Sequence, residues 1–97
     1  MAKAYWVAFY SAIHDPEKLA AYAKLAAPAL AAHGARFLAR GNPSHAFEKG
    51  RLQRTVVIEF DSVAQAVAAH DSAGYQEALR ALGDGVEREI RIIEAIE

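Results

Sequence analysis

Two short stretches of the chain are apolar on both faces at once. Ala4 to Tyr10 reads A-Y-W-V-A-F-Y, and Thr55 to Phe60 reads T-V-V-I-E-F. Continuous apolar runs of this length, rich in aromatic and β-branched residues, are the pattern of strands buried inside a sheet. Between and after them the period changes. Asp15-Pro16-Glu17 is a helix start, with Asp15 as N-cap, Pro16 at the first helical position and Glu17 favourable to the helix dipole. Leu19, Tyr22, Ala26, Leu30 and His33 then fall on one face at helical spacing. Pro28 inside that run removes a hydrogen bond and is expected to bend the last turns, and Gly34 is the natural stop. Ala35 to Gly41 alternates as a strand with Arg36, Leu38 and Arg40 on one side. Residues 42–53 read as a hairpin excursion with a short strand near His45 to Lys49. Ser62 and Gln65 form a capping box that opens a second helix. That helix is expected to break around His70 to Tyr75, because Gly74 is a poor interior residue and Asp71 or Ser72 can cap anew. Tyr75, Ala78, Leu79 and Leu82 continue the apolar face to Gly83, and Glu87 to Glu97, with four isoleucines, forms the last strand.

The order β-α-β-β-α-β is that of a ferredoxin-like α+β fold with a four-stranded antiparallel sheet, in which the first and third strands lie at the centre. Helices cover only one face of such a sheet. The other face therefore needs a cover of its own, and a second copy of the chain supplies it economically. Composition points the same way. The 97 residues suffice for one domain, spanning 1–97, but 23 of its apolar residues are alanine, which bury little area each. There is no cysteine, so disulfides and thiolate metal sites are unavailable. No signal-peptide pattern or apolar run long enough for a membrane span is present, and a cytoplasmic location is expected. A net charge of −1 carries no electrostatic signature of nucleic-acid or membrane binding.

Several stretches resemble, in order and spacing, the family known as domain of unknown function 1330, within the dimeric α+β barrel superfamily. They are K-A-Y-W-V-A from Lys3, D-P-E from Asp15, A-P-A-L-A-A-H-G ending at Gly34, R-F-L-A-R-G from Arg36, V-V-I-E-F from Val56 and S-A-G-Y-Q-E-A from Ser72. Where the family usually has S-P-E-Y, this chain has Ser72-Ala73-Gly74-Tyr75. The resemblance implies a homodimer whose sheets pack face to face. The superfamily includes cofactor-free monooxygenases, isomerases and haem enzymes that hold small ligands between sheet and helices.

Candidate chemistry starts with Glu59, a carboxylate inside an apolar strand, where an unpaired charge is costly. A hairpin pairing Gly41 near Arg54 places Arg36 opposite Glu59 and Arg40 opposite Thr55. Glu59 is then expected to be largely buried and held in a register-fixing ion pair by Arg36, or by Arg40 if a bulge shifts the hairpin register, or else to face a ligand cleft as a base with Arg40 holding an anion. His70, beside Ser72 and Tyr75 in the helix break, is the second candidate acid–base group. A pocket is expected there, between sheet and broken helix, with Tyr22 on the opposite wall. The candidate ligand-binding residues are thus Tyr22, Arg36, Arg40, Glu59, His70, Ser72 and Tyr75, and the catalytic candidates are Glu59 and His70. The four histidines have no metal-ligand spacing, so neither a metal nor an organic cofactor is expected. Sheet aromatics raise RNA binding, but the RRM signature is absent from the third strand. The expected partners are a second copy and a small acidic or enolisable molecule. The function is ligand binding with possible cofactor-free enzyme activity, or alternatively non-catalytic metabolite sensing.

Overall fold

The computed structural model describes residues 2–96. Elements run β1 (Ala4–Ile13), α1 (Pro16–Ala31), β2 (Arg36–Gly41), β3 (Thr55–Phe60), α2 (Val63–Asp71), α3 (Ala73–Leu82) and β4 (Val86–Glu94). The four strands form one antiparallel sheet in the order β2-β3-β1-β4. The two doubly apolar strands are therefore its centre, as expected of a ferredoxin-like sheet.

Local chemistry sets the helix boundaries. The Asp15 carboxylate accepts from the N–H groups of Glu17 and Lys18, satisfying two donors that the first turn leaves free. Helix α1 continues through Pro28 to Ala31 and buries Tyr22, Ala26 and Leu30. Ser62 caps α2 through the Gln65 N–H, but the Gln65 side chain does not reach back to complete a capping box. It donates instead to the His33 carbonyl at 2.7 Å and ties α2 to the end of α1. The expected break falls at Ser72, which ends α2 and caps α3 by accepting from the Tyr75 N–H. Gly74 also lets α3 pack close to α1: a Cβ there would lie 3.1 Å from the Cβ of Ala29, so one of the two would have to shift by a few tenths of an ångström.

All three helices pack on one face of the sheet. Trp6, Ile58 and Phe60 project from the strands to meet Leu30 and Tyr75, and the Trp6 and Tyr75 rings meet edge to face at 5.2 Å. Full burial of side chains of this size contributes about 1.5–3 kcal/mol each. The other face carries Tyr5, Val7 and Phe9 of β1, Val57 and Glu59 of β3, and Ile93 of β4, and nothing among the described residues covers it.

Three expectations need correction. First, no strand forms within 42–54, which is an irregular loop among the described residues. Second, β4 begins at Val86 and ends at Glu94; of the expected strand, Glu97 lies outside the described residues. Third, β2 does not alternate regularly. Arg36 faces Glu59 and Phe37 faces Ile58, but a bulge at Leu38 shifts the register so that Arg40 faces Val56 rather than Thr55. One extra residue reverses the faces of everything beyond it. Arg36 stays with Glu59 on the uncovered face, while Arg40 turns to the helix-covered face.

Candidate functional site

The alternation of β4 places Val86, Arg88, Ile90 and Ile92 on the side toward the helices. Arg88 is thus an arginine at a core position. It pairs with Tyr10 across the strands and reaches under α1 and α3. Its Nη1 donates to the Tyr10 hydroxyl at 3.0 Å and to the Tyr22 hydroxyl at 3.1 Å, and its Nη2 donates to the Tyr75 hydroxyl at 3.3 Å. The Tyr22 and Tyr75 hydroxyls share a further bond of 2.8 Å. The guanidinium also lies over the Tyr22 ring, 4.6 Å from its centroid, a favourable cation–π position.

Burial works against the Arg88 charge, but the oxygens of Tyr22, Tyr75 and Tyr10 outweigh it, and its pKa is raised above the ordinary arginine value. Burial, reinforced by Tyr22, also raises the Tyr75 pKa well above that of a free phenol. At every ordinary pH Arg88 therefore keeps its charge and Tyr75 its hydroxyl proton. The proton count of the cluster is one-sided. Three phenols carry three hydroxyl protons, and only the Tyr22–Tyr75 bond uses one of them within the protein. Arginine accepts nothing, so the cluster holds more donors than acceptors.

Two more arginines stand on the same side. Arg54, whose carbonyl accepts from the Tyr10 N–H, lies over the Tyr10 ring at 5.8 Å, and its Nε is buried without an acceptor. Arg40 lies over the ring of Phe37 at 5.4 Å on the exposed edge strand β2. Among the described residues none of Arg40, Arg54 and Arg88 has a carboxylate partner, whereas Arg36 and Arg91 both do. The three line one narrow cleft between α1 and the β2-β3-β1 side of the sheet, floored by Trp6, Ala8 and Ile58 and walled by Tyr22 and Ala26. The space within is about 30 Å³, room for a water or two.

The residues expected from sequence do not converge on one site. Glu59 is on the opposite face of the sheet, with Oε1 2.9 Å from Arg36 Nε and 3.7 Å from Lys3 Nζ. The Arg36 hydrogen bond, helped by Lys3, holds its pKa below the ordinary carboxylate value. In the single chain its side chain is 15% exposed, bordering the uncovered face. Arg36 also pairs with Asp61 at 2.9 Å. His70 bonds through Nδ1 to Asp71 and packs its ring toward Trp6 and Tyr75, and it does not line the cleft. It borders a separate shallow groove of about 290 Å³ with Val67, Ile90 and Ile92. Ser72 is occupied by capping and by donating to the Ala69 carbonyl at 2.7 Å. Tyr75 is fully buried, and Tyr22 and Arg88 take up its hydroxyl. Of the expected set, only Tyr22 and Arg40 line the arginine-lined cleft, and Tyr75 joins it indirectly through its bonds to Tyr22 and Arg88. No cluster of metal-ligating side chains occurs among the described residues, and no helix there is long and apolar enough to cross a membrane.

Residues 3–96 match the model of a domain of unknown function, DUF1330. The chain belongs to this family. No curated protein matches the sequence. Among solved structures, a protein of unknown function from Rhodopseudomonas palustris matches with a TM-score of 0.78 at 14% identity, covering 99% of this chain and 84% of that one. SnoaB, a cofactor-independent oxygenase from Streptomyces nogalater, matches with a TM-score of 0.67 at 14% identity over 100% of this chain and 96% of its own. A dimeric ferredoxin-like protein of unknown function from Thermobifida fusca matches at 0.62 and 17% identity, over 97% and 92%. At these identities the likeness is one of fold.

In this DUF1330 chain, then, the sequence reading missed Arg54 and Arg88. The signal for Arg88 was present. Counting back by twos from Ile92 and Ile90 lands on Arg88 and Val86, the same face of the strand.

Proposed function

We propose that the chain is a single ferredoxin-like domain that pairs with a second copy and binds a small anionic molecule in the cleft between α1 and the sheet. The observation that carries this is the Arg88–Tyr10–Tyr22–Tyr75 cluster, a half-buried charge whose hydrogen bonds within the chain go only to neutral hydroxyl oxygens, with no carboxylate partner among the described residues. A charge taken out of water costs several kcal/mol unless it is well paired. Phenols offset part of that, and an incoming oxyanion would supply the missing acceptor. Arg40 and Arg54 at the mouth extend the same field, in a chain whose overall charge is −1.

The pairing with a second copy is supported by the uncovered apolar sheet face and by the dimeric neighbour from Thermobifida fusca. The cofactor-independent oxygenase of the same fold makes cofactor-free chemistry on an acidic or enolisable ligand one reading of the cleft. Binding without turnover is favoured by a specific feature. The cleft lining contains no carboxylate or histidine to act as a base, since Glu59 is held by Arg36 on the other face and His70 by Asp71 beyond Tyr75. The test is mass spectrometry of small molecules retained by the gently purified protein, followed by titration of each against the fluorescence of Trp6, the single tryptophan and part of the cleft floor. Retained acids that perturb Trp6 support the reading. Neutral ligands, or acids whose binding leaves Trp6 unchanged, would argue against it.

A further inference from the structure

We propose that the ligand of this cleft is a dianion of the short dicarboxylate type, with one anionic group at Arg88 and the other at Arg54 and Arg40. The inference rests on the anion-binding reading above and narrows it. The cationic groups come from different strands. Arg88 stands on β4 and Arg54 at the start of β3, on the two sides of Tyr10 in the central strand β1. With adjacent strands about 4.8 Å apart, their backbones are separated by roughly 10 Å. The two guanidinium carbons lie 5.5 and 5.8 Å from the Tyr10 ring centroid.

The two ends also differ in what they lack. Arg88 donates to three hydroxyl oxygens, neutral acceptors that leave its charge without an anionic partner. Arg54 has a buried Nε with no acceptor at all, and Arg40 beside it in the lining has no carboxylate partner among the described residues. A monoanion at Arg88 leaves the Arg54 Nε unsatisfied, and one at Arg54 leaves Arg88 without an anionic partner. A molecule carrying an oxyanion at each end serves both.

Access is physically reasonable. The closed cleft holds about 30 Å³, but the side chains over its mouth, Phe37 and Arg40, belong to an edge strand exposed at every position. They can swing outward without breaking packed core.

The test is a set of Trp6 fluorescence titrations at constant ionic strength, using succinate, glutarate and adipate against their monomethyl esters. At least one diacid should bind ten-fold or more tightly than its own ester. In Arg54→Gln that ratio should fall to near one. Arg40→Gln, on the exposed edge strand, should reduce the same ratio and serves if Arg54→Gln does not fold. Equal binding of diacids and esters in the wild type would overturn the dianion inference while leaving the anion-binding reading intact. A diacid preference that survives in the arginine variants would overturn it as well. If neither diacids nor esters perturb Trp6, both fall.

Discussion

Replacing Arg88 by methionine separates a functional arginine from a structural one. Methionine fills similar length in the layer between sheet and helices and brings no polar atom that must be satisfied. On the structural side two effects oppose. The variant loses three hydrogen bonds from a charged donor to Tyr10, Tyr22 and Tyr75, and bonds of that kind contribute about 1.5–3 kcal/mol each in favourable cases. It also removes the desolvation cost of a half-buried guanidinium, part of the several kcal/mol that a fully buried ion costs. The Tyr22–Tyr75 bond at 2.8 Å survives, so two of the three phenols keep a partner. The net change in stability should therefore stay within about 2 kcal/mol of zero, in either direction. Affinity behaves differently, because nothing replaces the charge facing the ligand. Loss of a hydrogen-bonded charge contact typically costs 2–5 kcal/mol, or roughly 30-fold to several thousand-fold. Urea denaturation gives the first quantity and Trp6 fluorescence titration with a carboxylate the second. Because the Arg88 and Tyr75 pKa values are both raised, wild-type affinity should also be flat from neutral to moderately alkaline pH. A variant destabilised by much more than 3 kcal/mol that still binds normally would mean that Arg88 is structural and the reasoning wrong.

Tyr75→Phe should cost about 1 kcal/mol in stability, since it removes one buried hydroxyl while Tyr22 keeps its bond to Arg88, and it should weaken anion binding; denaturation and titration together check both. In a double-variant cycle on Arg36 and Glu59, the pair removed together should be more stable than the two single changes predict, and additive results would count against a coupled pair. The depressed Glu59 pKa means that the folded state holds this proton less tightly than the unfolded chain. Its contribution is therefore present at neutral pH and lost as pH falls through the folded value, so Glu59→Gln should flatten the acid limb of the stability profile. Val7→Lys, in the middle of the uncovered sheet face, should convert a dimer to a monomer by light scattering, and an unchanged mass would place the interface elsewhere.

What the sequence made legible follows from periodicity and local chemistry. Strands apolar on both faces had to be central, and β1 and β3 are. Asp15, Ser62 and Ser72 announced helix starts because a short oxygen acceptor beside free N–H groups has few other uses. The Arg36–Glu59 pairing followed from hairpin arithmetic. The cleft was harder to see for two reasons. A bulge at Leu38 leaves no mark in the alternation of R-F-L-A-R-G, yet it alone decides that Arg40 faces the helices. In β4, Ile92 and Ile93 are adjacent, so apolar residues occupy both faces and the phase that buries Arg88 is ambiguous from pattern alone. The pocket expected at His70 failed to gather its residues because Ser72 is needed by the two helix ends it joins, and the Tyr75 hydroxyl turns to Tyr22 rather than to His70.

The most direct test of the anion-binding cleft is a crystal structure of the protein soaked with a short carboxylate. The account predicts an oxyanion between α1 and the sheet, within hydrogen-bond distance of Arg88 or Arg54 Nε, with Phe37 and Arg40 displaced outward. A wider opening of about 910 Å³ adjoins the same cluster, lined by Tyr10 and Arg88 together with Lys49, Arg51 and Arg91. A carboxylate bound in that opening by Lys49, Arg51 or Arg91 alone, out of reach of Arg88 and Arg54, would contradict the account.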